Sequence, residues 1–443
     1  MKGRPPLYFL KNFWPVLLVP ILFASCSGNR KILSAVQREL TTSAVFEHGF
    51  TGLAVYDPVK KKMIFEYNSG KNFIPASNTK LLTFYTGLKI LGDSVPGIKY
   101  TIQNDSLIFT GTGDPSLLNQ ELPPSRVFDF LKNRQEKLFY LPSASTEKVF
   151  GPGWAWDDYN DYYSAERSAF PVMGNTVRFL FKIGVQKPEV SPGIFSDSLV
   201  PNVVISEYTR VKRDPDKNIF RYTYKNKEEE VQQQVPFKTS VENSIRILED
   251  TLEKKIQVLK PDPTVKLERT LYSIPTDSLY KRMLQESDNF IAEQVLLMAA
   301  NEIADTLQAK IAIKYMKENH LEDLPDEPQW IDGSGLSRYN LISPRSMVKL
   351  LEKIKNDVAY PKLFELLPAG GKSGTLKNQF QGEAPFIFAK TGSLSNNYSL
   401  SGYLITKKGE ILIFSFMNSN FTVPSARLKQ EIEEVLHFIR NKK

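Results

Sequence analysis

A chain of 443 residues, 41% hydrophobic and 24% charged, has material for a large core or for two or three domains, which excludes wholesale disorder. Its formal charge of +8 is scattered without an arginine-rich run, so no nucleic-acid partner is expected. The single cysteine, Cys26, rules out intrachain disulfides and cysteine-based zinc sites, and neither a metal nor another cofactor is expected.

Residues 1–25 read as a secretory leader. Lys2, Arg4 and Lys11 make a basic start. The apolar stretch from Phe13 to Phe23 is short and interrupted by Pro15 and Pro20, which argues against a membrane-spanning helix. Without those three basic residues the charge falls to +5. The leader ends Leu22-Phe-Ala-Ser-Cys26. Small residues just before a cysteine resemble the bacterial lipoprotein signal, which implies that Cys26 is lipidated and becomes the mature N-terminus. Ser27 after it resembles lipoproteins sent to the outer membrane of Gram-negative bacteria, which implies a periplasmic protein held by a lipid anchor.

A short helix is predicted over 31–41. Gly52–Asp57 and Lys62–Tyr67 alternate as two strands around the Asp57-Pro58 turn. Pro75 then precedes Ala76-Ser-Asn-Thr-Lys80, and Leu81, Leu82, Phe84, Tyr85, Leu88 and Leu91 follow at roughly helical spacing. Ser77 is therefore placed near a helix N-terminus, with Lys80 one turn further on the same face. Leu107–Thr110 reads as a strand entering the glycine-rich Gly111-Thr-Gly-Asp-Pro115.

From about 118 to 265 the texture changes to short apolar runs between polar stretches, such as Val177–Ile183, with a solvated hairpin tip expected at 225–230. Helical spacing returns over Ser278–Ala300 and Ile303–Glu318, and again from Ser343-Pro344 to Ile354. Three strands, at Pro385–Thr391, Tyr398–Thr406 and Ile411–Asn418, precede a closing helix over Ser425–Ile439. The expected fold is α+β. A catalytic domain from 27–115 and 268–443, with an antiparallel sheet flanked by helices, carries an inserted strand-rich accessory region over 116–267.

A serine hydroxyl is a weak nucleophile until a base takes its proton. His320 and His437 lie in polar or amphipathic helix ends, so a Ser-His-Asp triad is not expected. A lysine three residues after a serine can serve instead, yet the same spacing recurs at Ser145/Lys148, Ser278/Lys281 and Ser346/Lys349. Such a pair alone is more often an N-cap serine and a solvated lysine. What singles out Ser77 and Lys80 lies downstream. Ser287-Asp-Asn289 opens a helix, and Lys390-Thr-Gly392 ends a strand. These three motifs, in this order, are the signature of penicillin-binding proteins and serine β-lactamases.

The chain resembles one branch of that superfamily, the D-alanyl-D-alanine carboxypeptidase/endopeptidase family (penicillin-binding protein 4, peptidase family S13). Pro75–Lys80, Gly113–Pro115, Gly153-Trp-Ala-Trp156, Ser287–Phe290 with Ala292-Glu-Gln294, Asp332–Arg338 and Gly374-Thr-Leu376 carry the resemblance. It implies the penicillin-binding-protein/β-lactamase-like transpeptidase fold, a large insert between the first two motifs, and peptidoglycan peptides ending in D-Ala-D-Ala as substrates. β-Lactams are implied as covalent inhibitors. Ser77 is expected to attack and form an acyl-enzyme, Lys80 to take its proton, and Ser287 to relay it to the leaving amine. Asn289, Lys390, Thr391 and Ser393 are expected to bind substrate, with Lys390 also disfavouring the charged form of Lys80. Asp157 and Asp158 are weighed as readers of a cationic group on the stem peptide, against a plain surface turn. A β-lactamase would need a base for deacylation, and Glu166 has no such context; a catalytically inactive wall-binding lipoprotein is the other alternative, against which the intact motifs speak.

Overall fold

The structure is a computed structural model that describes residues 24–143, 147–202, 208–225, 229–262 and 264–441, with side chains from residue 33 onward. The leader over 1–23, Ser145, and residues 226–228 of the expected hairpin tip lie outside the described residues, as does the side chain of Cys26.

The organising element is a five-stranded antiparallel sheet. It is built from β1 (Phe50–Asp57), β2 (Lys62–Tyr67), β14 (Ile387–Leu394), β15 (Asn397–Ile405) and β16 (Ile411–Ser419), in the order β14-β15-β16-β1-β2. Both ends of the chain thus meet in one sheet, with Val55 opposite Phe414. The period-2 alternation sends Leu412, Phe414 and Phe416 to one face and Ile413 and Met417 to the other. On the first face they pack beneath the amphipathic helices α1 (Ala24–Thr42) and α11 (Ser425–Arg440), and the short α2 (Ala44–Glu47) adds Val45 and Phe46. Each such fully buried side chain contributes on the order of 1.5–3 kcal/mol.

The second face carries a helical layer: α3 (Lys80–Ile90), α6 (Thr276–Gln285), α7 (Asn289–Ala304), α8 (Ala309–Asn319), α9 (Pro344–Asp357) and α10 (Tyr360–Leu366). Helix α7 is largely apolar and buried along nearly its whole length, as a central helix must be. The continuous helical run predicted over Ser278–Ala300 is two helices. Asp288 caps α7, accepting from the Ile291 amide, and Ser287 before it sits at φ 60, where no helix continues. Ser278 and Ser287 are therefore not on one helix. The run predicted over Ile303–Glu318 likewise divides, Ile303 belonging to α7.

A second sheet has the order β12-β5-β4-β3-β13. Its members are β3 (Ser94–Gln103), β4 (Ser106–Gly111), β5 (Lys137–Tyr140), β12 (Ile256–Val258) and β13 (Arg269–Pro275). The sheet draws strands from both sides of the residue 115 and 268 boundaries. Around it lie α4 (Arg126–Lys132), α5 (Val241–Leu252) and two three-stranded sheets. These are β11-β6-β7, from β6 (Thr176–Phe181), β7 (Glu189–Ser191) and β11 (Val231–Pro236), and β8-β10-β9, from β8 (Leu199–Pro201), β9 (Arg210–Arg213) and β10 (Phe220–Thr223). Their shared core includes Phe109, Phe179, Phe220 and Phe237. Among the described residues no helix is long and apolar enough to cross a membrane.

Candidate active site

Ser77 stands between the sheet and the helical layer, on a 3₁₀ turn over Ala76–Thr79; α3 begins only at Lys80. The expected helix N-terminus is thus a tighter turn leading into the helix. Two glycines let the chain approach it. A Cβ on Gly392 would come within 2.4 Å of the Pro75 carbonyl oxygen and 2.9 Å of the Ser77 amide nitrogen. A Cβ on Gly335, at φ +85, would come within 1.9 Å of the Ala76 carbonyl oxygen. Ala76 itself is held at φ 47, a left-handed conformation that costs an alanine on the order of 1 kcal/mol. Asn78 locks the turn to β14 by donating its amide to the Lys390 carbonyl at 2.8 Å.

Lys80 is wholly buried. Its Nζ donates to Asn289 Oδ1 at 2.6 Å and to the Ser334 carbonyl at 2.7 Å, and lies 2.8 Å from Ser77 Oγ. Neither of the first two partners can donate back in this arrangement. Asn289 is oriented by its Nδ2, which gives its hydrogen to the Tyr163 carbonyl at 2.9 Å. A neutral amine has two hydrogens and one lone pair. With both hydrogens spent, the lone pair is left for the Ser77 hydroxyl. Burial pushes the Lys80 amine down to about 8, against the opposing charges of Asp332, Asp288 and Glu293. Lys390 was expected to disfavour the charge on Lys80, and a larger cause stands beside it. Burial is the first cause, and the mutual repulsion between the two buried lysines adds to it. That lysine is held well below its usual range by burial first and Lys80 second.

Lys390 Nζ donates to the Thr391 carbonyl and lies 2.9 Å from Ser287 Oγ. The second motif therefore divides, Asn289 facing Lys80 and Ser287 facing Lys390. Ser77, Ser287, Asn289, Thr391 and the exposed Ser393 share the lining of one cleft of about 690 Å³. Asp157, Asp158, Tyr162 and Arg338 line it too, and burial raises the Asp158 carboxyl.

The other sequence candidates have structural occupations. Ser346 is buried in the first turn of α9, its hydroxyl bonded to the Asp326 backbone, and Lys349 pairs with Glu352. Lys281 pairs with Glu365. Glu166 is buried, accepts from Thr239 and lies 4.0 Å from Arg213, so it is not a free base. His320 packs edge-on against Tyr85, and His437 against Phe386.

Three contributions lie in stretches that carried the resemblance but were given no role from sequence. Asn78 is one. The Asp332–Arg338 loop is the second. Asp332 gathers the amides of Gly335 and Ser337, the Asn340 side chain and Trp154 Nε1, which joins the Gly153-Trp-Ala-Trp156 stretch to the loop carrying Ser334. Glu293 accepts from the Ser334 amide at 2.7 Å and pairs with buried Arg167. The third is Thr375, whose Oγ1 lies 2.7 Å from Thr391 Oγ1. Its stretch was part of the resemblance, but only the fold shows the contact.

A serine turn wedged between an antiparallel sheet and a helical layer, with two buried lysines behind it, defines the penicillin-binding-protein class of fold. Within it, the sequence profile of the D-Ala-D-Ala carboxypeptidase 3 (S13) family matches residues 33–205 and 232–442, and the chain belongs to that family. It is 24% identical over 439 residues to the D-alanyl-D-alanine carboxypeptidase DacB of Haemophilus influenzae, covering 86% of this chain and 88% of that one. It is 23% identical over 438 residues to the penicillin-sensitive carboxypeptidase A of Dictyostelium discoideum, covering 84% and 83%. The crystal structure of penicillin-binding protein 4 (dacB) from Haemophilus influenzae superposes with a TM-score of 0.73 at 21% identity, over 93% of this chain and 98% of that one.

Proposed function

We propose that this protein is a penicillin-sensitive serine D-alanyl-D-alanine carboxypeptidase and endopeptidase acting on peptidoglycan stem peptides and cross-links outside the cytoplasm. The reading rests above all on the Lys80 amine. It is buried, lowered toward neutrality by that burial, and 2.8 Å from Ser77 Oγ. In this mechanism Lys80 accepts the Ser77 proton as Oγ attacks the carbonyl between two D-alanines. The oxyanion lies between the backbone N–H groups of Ser77 and Ser393, which the close approach at Gly392 favours. Ser287, bridged to Lys390, relays the proton taken up by Lys80 to the leaving amine, the C–N bond breaks, and D-alanine departs. Water then adds to the Ser77 ester, breaks the C–O bond and returns the proton to Ser77. Asn289 holds Lys80 and the amide of the acyl part, while Thr391 and Ser393 receive the terminal carboxylate. Asp157 and Asp158 face a cationic group of the stem peptide.

Residues 27–115 and 268–443 supply the catalytic body in this reading. The insert over 116–267 walls the cleft through residues such as Tyr162 and Tyr163. The protein is exported and anchored through lipid on Cys26 to the outer membrane of a Gram-negative cell, as the sequence from Leu22 to Ser27 suggests.

Release of D-alanine from a pentapeptide ending in D-Ala-D-Ala, measured for the wild type and Ser77→Ala, tests the activity. Release by the wild type and none by the variant is expected. Equal release by both would contradict the assignment.

A further inference from the structure

We infer that Thr375 is a positioning residue for recognition of the substrate's terminal carboxylate, acting through Thr391. The inference rests on the carboxypeptidase reading above and extends it to a residue that no motif role covers. Thr375 and Thr391 both line the cleft, and their hydroxyl oxygens are 2.7 Å apart.

The place of Thr375 is built. Its loop is fastened to the edge of β14, where the Gly370 amide donates to the Ile387 carbonyl and the Ala389 amide to the Pro368 carbonyl. On its other side the loop presses on the end of α6. Gly374 stands at φ +56, and a Cβ there would come within 2.5 Å of Gln285 Oε1. Gln285 donates in turn to the Leu367 carbonyl at 2.8 Å. The loop is therefore clamped between the strand that carries Lys390 and the helix that leads into Ser287.

Two hydroxyls at this distance share one hydrogen, and one hydrogen is left over. If Thr391 donates to Thr375, Thr391 shows only lone pairs to the cleft and repels an anion. If Thr375 donates to Thr391, the Thr391 hydrogen is free for the cleft and is polarised by the bond it accepts. A carboxylate selects the second arrangement; a neutral carboxamide gains less from it. Because hydrogen bonds to a charged group are the stronger kind, losing the Thr375 donor should cost the acid roughly ten- to a hundredfold relative to the amide.

The test uses one peptide ending in D-Ala-D-Ala, as free acid and as C-terminal carboxamide, with kcat and KM measured separately. The wild type should prefer the acid. Thr375→Val, nearly the same shape without the hydroxyl, should lower that preference at least tenfold, chiefly through KM for the acid. Thr375→Ser should restore most of it. Should valine disturb the loop, as a thermal melt would show, Thr375→Ala serves in its place. A hydroxyl-free variant that keeps the wild-type ratio of acid to amide, even if slower on both, overturns the inference, as does failure of serine to restore it. Wild type that cleaves neither peptide overturns the carboxypeptidase reading, and the inference with it.

Discussion

At the residue scale the chemistry turns on where two lysines keep their protons. Below about pH 8 the Lys80 amine carries its proton and has no lone pair for Ser77; above it the lone pair is free. The acylation rate should therefore rise about tenfold per pH unit below 8 and level off above it, in stopped-flow measurements with a penicillin. A rate independent of pH between 6 and 9 would exclude Lys80 as the base. Arginine at position 80 would hold its proton, but its larger head does not fit a wholly buried site without strain. Methionine is the better replacement. Lys80→Met should lower acylation by roughly 10²–10⁴ with only a modest change in melting temperature.

The residues proposed for these roles were readable as three ordered motifs, because such chemistry calls for fixed residue types at fixed spacing. Their pairings were not. That Asn289 meets Lys80 while Ser287 meets Lys390 depends on a left-handed residue between two helices, which helical periodicity cannot show. The part that burial plays in lowering Lys80 was not legible either, since burial is a property of the whole layer around a side chain.

At the scale of elements, the site is held by close approaches of backbone. Strand β14 reaches the Ser77 turn only because Gly392 has no side chain, and the Asp332–Arg338 loop only because of Gly335. Gly335→Ala adds a Cβ against a carbonyl and forces an unfavourable φ. A loss of roughly 2–4 kcal/mol in urea unfolding is expected, on the scale of overpacking plus backbone strain. Gly392→Ala should act differently. It wedges the strand from the turn, so acylation should fall by about a hundredfold, as when one oxyanion donor is lost. Normal acylation by Gly392→Ala would show that the approach is not needed.

Strands β1, β2 and β14–β16 were legible as short apolar runs bounded by turns, because layers on both faces of the sheet bury them. Helix α5 was missed inside a segment read as strand-rich, although Ser240 caps it and Ile245, Leu248 and Leu252 keep helical spacing. Polar residues between short apolar runs masked that spacing.

At the scale of the whole molecule, the insert and the catalytic layers are joined through buried charge. Arg167 pairs with Glu147 at 2.8 Å and Glu293 at 3.3 Å, and stacks over Trp154. Removing one partner of a buried pair leaves the other charge uncompensated. Arg167→Met should cost about 3–5 kcal/mol in equilibrium unfolding, and loosening of the Ser334 loop should slow acylation as well. Anchoring is a separate matter at the same scale. Cys26→Ala should move the protein from the membrane fraction to the soluble fraction without changing its activity on soluble peptides. Unchanged membrane association would contradict lipid attachment at Cys26.

The central claim is that Ser77 is the nucleophile, and labelled penicillin tests it most directly. The protein is incubated with the label, digested, and the modified peptide sequenced. A single labelled site at Ser77, lost in Ser77→Ala, is the expected result; label on another serine, or none at all, would contradict the account.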